Sequence, residues 1–171
     1  MGNYSPSTIA MVGDLNLKRG LVCRTQTVNA SAVMTAASVT NMFKVTGRIR
    51  IVSLDIEAIT QFGAQAAVPR FQFVGVTPVV AAFDISAASA SLANLAAGKR
   101  VTFAGTALTT ALVIDGVAGI TVKPANYMDI GWDGGSGFIS VLGSTALTSG
   151  TCVLTLCYLP QSDGAAAEAL M

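Results

Sequence analysis

The sequence predicts a mainly β chain: an antiparallel β-sandwich or jelly-roll-like barrel with an extended N-terminal arm and at most one short helix. Three observations carry this. Short runs alternate between apolar and polar residues, turn-forming Gly, Pro, Asn and Asp separate them, and one segment alone allows a helical reading. The 171 residues suit a single core, and surface scaling gives roughly 7,900 Å² exposed when folded against roughly 25,000 Å² unfolded. The expected organisation is an arm over 1–20, a β-sandwich domain over 21–160 and a tail over 161–171.

Residues 1–20 lack periodicity, carry Ser5-Pro6 and Gly13-Asp14, and end in Lys18-Arg19-Gly20; they read as an arm. Small and β-branched residues dominate 21–40, too few of them large enough for a core, so an extended covering segment is expected there. From Phe43 the pattern becomes that of a strand, with one irregularity. Val45, Ile49 and Ile51 share one phase; Val52, Leu54, Ile56 and Ala58 share the other. A period-2 strand changes phase through a β-bulge or by bending from one sheet into another. The opposite face then reads Arg48, Arg50, Ser53, Asp55, Glu57, cations at one end and carboxylates at the other. It is either an ordinary solvated face or a polar stripe that pairs with a neighbouring subunit.

Further strands are predicted at 70–76, 79–85, 100–104, 107–114, 119–123, 127–132, 138–142 and 152–159. Two alternate cleanly: Met128, Ile130 and Trp132 against Tyr127, Asp129 and Asp133, then Leu154, Leu156 and Tyr158 against Thr151, Val153 and Thr155. Segment 86–97 has Leu92 and Leu95 as its only large residues and precedes Gly98; it is a short helix or a structured loop across one end of the sandwich. After Pro160 the chain reads as a mobile or adhesive tail.

Charge is where the composition departs from the ordinary. Only 11% of residues are Asp, Glu, Lys or Arg, against about 25% in a typical domain. Mean hydropathy is +0.62, yet no apolar run approaches the roughly 18–20 residues that span a bilayer, so no membrane partner is expected. The scarcity of charge is read as a surface meant to be covered by other subunits, because interface cores are poor in ionised side chains; the alternative is a monomer whose surface is Ser, Thr and Gly. A net charge of +1 offers nucleic acid no electrostatic handle. Residues 1–6 show no basic stretch leading into an apolar one, so synthesis in a cytoplasm is expected.

The absence of histidine removes the commonest general base and most transition-metal sites. Asp55 and Glu57 point the same way about 7 Å apart by strand geometry, a spacing a glycosidase pair could use, but surface charge is the better account. Gly98-Lys99-Arg100 fails as a phosphate loop, since Ala93 and Arg100 stand where Gly and Ser or Thr are required. Residues 133–137 hold one carboxylate, too few for calcium, and read as a flexible hairpin loop. Cys23, Cys152 and Cys157, odd in number and without CxxC spacing, are expected as buried thiols. No catalytic residue, metal or cofactor is predicted. The candidate partner-binding residues are Lys18, Arg19, Arg48, Arg50, Asp55 and Glu57.

Lys18-Arg19-Gly20-Leu21-Val22, the run 42–51, Asp84-Ile85, Ala111-Leu112-Val113 and the run 155–165 resemble small proteins encoded beside the major capsid genes of tailed bacteriophages, the capsid decoration or cement proteins. The motifs are Phe43-x-Val45-Thr46-Gly47-x-Ile49 and Tyr158-x-Pro160-x-x-Asp163-Gly164, and the likeness covers about 18–165. The resemblance implies a structural virion protein on the outer capsid surface. Its partners would be the major capsid protein and itself, as a homotrimer. The competing expectation is a receptor- or glycan-binding β-sandwich of a phage fibre or spike.

Overall fold

A computed structural model describes residues 20–36, 38–103, 113–114 and 128–170. Among them the strands are β1 (Val22–Asn29), β2 (Val39–Thr46), β3 (Ile49–Ala58), β4 (Pro69–Thr77), β5 (Val80–Asp84), β6 (Arg100–Thr102), β7 (Val113–Ile114), β8 (Met128–Ile130), β9 (Ser136–Gly143), β10 (Thr151–Pro160) and β11 (Ala166–Ala169). The one helical turn, α1 (Ala30–Val33), follows β1. None of the described helix is long and apolar enough to cross a membrane.

Two antiparallel sheets face each other, one ordered β1-β10-β3-β6-β7 with β8 also on β3, the other β11-β2-β9-β4-β5. The pairing is nested: β1 with β10, β2 with β9, β3 with β8 and β4 with β5. Such nesting arises when one long hairpin of strand pairs rolls up on itself, so the architecture is a β-sandwich of jelly-roll type rather than a closed barrel. Strands β6 and β7 extend the first sheet, and β11 the second.

The core lies between the sheets. Cys152, Leu154, Leu156 and Tyr158 of β10 and Ile49, Ile51, Leu54 and Ile56 of β3 meet Met42, Phe43, Phe71, Phe73, Ile139 and Val141 from the facing sheet, all buried. The phase change in β3 is a bulge: Ser53 pairs with Cys157 and Ile51 with Tyr158, leaving Val52 opposite no residue. With Val52 as the extra residue, Ile51 and Leu54 both face inward. The bulge separates the part of β3 that pairs with β8, Ile49 to Ile51, from the part that pairs with β6, Asp55 to Glu57.

Three connections between sheets meet at one end: β2 to β3 through Gly47-Arg48, β8 to β9 through 131–135, and β10 to β11 through 161–165. Their backbones bond to one another. Gly47 N–H donates to Gly135 O at 2.8 Å, Gln161 N–H to Arg48 O at 2.8 Å, and Arg48 N–H to the Ser162 hydroxyl at 2.9 Å. Gly47 and Gly131 have φ of +71° and +85°, and a Cβ on Gly131 would collide with the Gly47 carbonyl. Only glycine meets both requirements. The change of sheet thus occurs at Gly47, and the bulge lies five residues later.

Several expectations need correction. Segment 21–40 does not merely cover the domain; it supplies β1, one helical turn and the start of β2. The tail carries β11, hydrogen-bonded to β2. Residues 133–137 join opposite sheets instead of closing a hairpin. Of the two forms expected for segment 86–97, the structure has the loop and not the helix, pinned along 62–71: Phe71 N–H donates to the Ser86 hydroxyl, Ser89 N–H to Pro69 O and Leu92 N–H to Ala67 O. Of the predicted arm over 1–20, residues 1–19 lie outside the described residues, as do the predicted strand at 119–123 and all of the one at 107–114 except Val113-Ile114, which form β7.

The cysteines are the largest correction. Cys23 and Cys157 form a disulfide, and Cys152 is a buried free thiol. Cys23 stands directly opposite Cys157 in the β1–β10 register, with Cα atoms 4.1 Å apart, the close spacing of a non-hydrogen-bonded antiparallel pair. Being five residues from Cys152, Cys157 points to the outer face while Cys152 points inward, and burial pushes the Cys152 thiol up to about 12.

The side of the sandwich between β1 and β11 is closed by side chains. Arg24 Nε donates to Ala167 O at 3.1 Å, Gln26 Nε2 to Met42 O at 3.1 Å, and the buried Ala167 N–H donates to the Tyr158 hydroxyl at 2.9 Å. Tyr158→Phe leaves that N–H without an acceptor and is expected to cost about 1–3 kcal/mol in denaturant unfolding. Thiol titration of the unreduced chain should find no reactive thiol when folded and Cys152 alone when unfolded. Stability should fall as pH rises from about 9 toward 12, where the unfolded Cys152 thiol ionises and the folded one does not.

Candidate interaction surface

The outer face of the first sheet carries the charged stripe, and the register explains its pairing. Arg50 stands opposite Asp129, and Glu57 opposite Arg100. The Arg50 guanidinium donates to both Asp129 oxygens, Nε at 2.6 Å and Nη2 at 2.9 Å. Arg100 meets Glu57 at 2.6 Å, and Arg48 lies 3.8 Å from Asp133 at the exposed end. Asp55 is 5% exposed and accepts from the Ser53 hydroxyl. The structure thus brings Arg50, Asp55 and Glu57 onto one strand, with Arg48 in the turn that leads into it; Arg48, Arg50 and Glu57 are in ion pairs within the chain and Asp55 is withdrawn from the surface. Lys18 and Arg19 lie outside the described residues.

Polar groups on the outer face of the second sheet are likewise engaged. Ser140 donates to Asn41 Oδ1 at 2.7 Å, Gln72 to Asp84 Oδ1 at 2.6 Å, and Arg70 meets Asp84 Oδ2 at 3.0 Å. A shallow hollow of about 310 Å³ beside Arg70 is lined by Val68, Ala88, Leu142, Gly143 and Ser144. The Ser144 hydroxyl there accepts from Val68 N–H at 3.0 Å, so both polar side chains of the hollow already serve the fold. No group of three or more His, Cys, Asp or Glu gathers for a metal among the described residues.

Apolar side chains stand out where charge does not. Val79, at the tip of the β4–β5 hairpin, is 88% exposed, with Val76 exposed on the same hairpin and Leu21, Val39, Ile59 and Leu170 exposed elsewhere. Among the described residues strand β5 is the edge of its sheet, and its Val80-Ala81-Ala82-Phe83 run carries no charge. Trp132 lies below the hairpin, tilted on Phe73 with ring centroids 5.7 Å apart and touching Gly75. Sequence reasoning passed over Val76 and Val79 as exposed residues; the available signal was a valine on either side of the Thr77-Pro78 turn, where exposed polar residues are usual.

Arg50 holds the Asp129 carboxyl below the usual carboxylate range, first through their hydrogen bond and then through charge, with Arg48 adding to it. The two side chains are 39% and 42% exposed, so the pair stabilises by about 0.5–1 kcal/mol. Asp129→Asn should lose that amount at neutral pH. The deficit against the unsubstituted chain should vanish as pH falls through the depressed native value of Asp129, because protonation then breaks in the unsubstituted chain the pair that the variant already lacks; urea melts across pH would show it. Comparison of the chain with family models, with curated proteins and with solved structures finds no match.

Proposed function

We propose that the protein is a non-catalytic structural component of a virion, a decoration or cement protein that adds to the outer surface of a tailed-phage head and assembles with copies of itself, as a homotrimer. One observation carries this reading: the charges of the described surface are largely cancelled within the chain, while Val79, Val76, Leu21, Val39, Ile59 and Leu170 stand exposed. Uncharged surface with protruding valines gains free energy when another protein covers it. The outward-facing disulfide suits a particle surface, one of the settings where such bonds persist. The jelly-roll topology supports the reading by analogy only, since that architecture serves lectins and enzymes as well as capsids.

Stabilisation would follow from linkage. A protein that binds only the expanded shell favours that state by RT ln(1 + [L]/Kd) per site, and many sites add. Co-sedimentation should therefore show binding to expanded heads and none to unexpanded ones. Val79→Lys should weaken that binding about tenfold or more, given the cost of desolvating a charge in an interface. Equal binding to both head forms, or to neither, would overturn the proposal.

A further inference from the structure

We propose that the Cys23–Cys157 disulfide is a redox latch on an exchangeable strand: while it is intact β1 stays on its own β10, and once it is reduced β1 leaves and takes the same place on a second copy of the chain. The inference stands apart from the virion reading and rests on how β1 is held.

Among the described residues, strand β1 is the last of its sheet, and its backbone ladder is with β10 alone. Of its eight residues Cys23, Arg24, Thr25, Thr27 and Asn29 are exposed, Val22 and Val28 are half-buried, and Gln26 alone is buried. Little apolar burial therefore opposes its departure. The strand it rests on is different in kind: β10 pairs on both sides and sends Cys152, Leu154, Leu156 and Tyr158 into the core. A pivot is present where β1 ends. Ala30 and Val33 of α1 are buried, and Ala30 N–H donates to Gly150 O at 2.9 Å, so release stops at Asn29.

The latch is within reach of solvent, because Cys23 is exposed and Cys157 half-buried. A dithiol reductant attacks one sulfur as thiolate, and the S–S bond breaks to give a mixed disulfide. Its second thiol then closes the reductant's own disulfide, leaving Cys23 and Cys157 as thiols after two electrons and two protons have passed to them.

The vacated edge of β10 specifies its occupant. Eight consecutive pairs, from Val22 with Tyr158 to Asn29 with Thr151, define the register. Arg24 and Gln26 meet acceptors on β11 and β2, the carbonyls of Ala167 and Met42. A second copy's β1 reproduces all of these contacts, so exchange leaves the interactions unchanged and alters only which chain makes them.

Complementary single substitutions test this with the full chain. Cys23→Ser and Cys157→Ser chains, one of them isotopically labelled, are mixed under reducing conditions and then oxidised, and intact masses are read without reduction. The expected product joins one chain of each kind through Cys23 of one and Cys157 of the other, exceeding either homodimer about tenfold, with the buried Cys152 unlabelled by thiol reagent as a check that both variants are folded. Absence of the mixed species, or homodimers and mixed dimers in statistical proportion, overturns the exchange. Hydrogen exchange on the unsubstituted chain tests the latch itself: reduction should speed exchange in β1 by about tenfold or more and leave the centre of the β2–β9 pair unchanged. Equal β1 protection with and without reductant overturns it.

Discussion

Strands adjacent along the chain mostly lie in opposite sheets, so neither sheet can form without the other. The chain changes sheet between β1 and β2, β2 and β3, β3 and β4, β5 and β6, β8 and β9, β9 and β10, and β10 and β11. Every hydrogen-bonded ladder except β4–β5 and β6–β7 therefore joins segments distant in sequence, and the loop-closure cost falls on the whole domain at once. The reward arrives only when the two apolar faces meet. The knot of backbone hydrogen bonds around Gly47, Arg48, Gly135 and Ser162 holds three of those changes together, which gives the two motifs of the sequence a physical meaning. Phe43 to Ile49 and Tyr158 to Gly164 are segments that cross from sheet to sheet at the same end.

Much of the architecture was legible because a half-buried strand writes its orientation into the chain. The alternation of Leu154, Leu156 and Tyr158 with Val153 and Thr155 gave β10 its inward face, and the phase change at Val52 announced either a bulge or a change of sheet, of which the structure has the bulge. Three elements escaped for identifiable reasons. In β1 the inward positions include Arg24 and Gln26, polar side chains whose partners are carbonyls of the other sheet, so the strand lacks an apolar rhythm. In β11 alanine fills the inward position at Ala167, a residue that favours helix over strand and so does not announce a strand. The disulfide depends on a register between segments 134 residues apart, which no local spacing reveals.

The surface was half legible. The polar residues of the stripe were apparent, and their phase was right, but their partners came from β6 and β8, strands whose place beside β3 the sequence does not state. Once Asp129 and Arg100 stand opposite Arg50 and Glu57, the stripe becomes a set of cross-strand pairs that steady the sheet. The scarcity of charge is thereby deepened, since much of what little there is faces its own opposite. Among the described residues, the protruding valines of the β4–β5 hairpin then stand out on the exterior.

The unpaired residue in β3 has a consequence for how this fold can change length. Removing Val52 would restore an unbroken alternation in which Ile49, Ile51, Leu54, Ile56 and Ala58 all keep their present orientation, and Arg50, Ser53, Asp55 and Glu57 theirs. Deletions inside a strand ordinarily turn half of it over. Here a central strand contains a position able to absorb the loss or gain of one amino acid, a tolerance otherwise confined to connecting loops.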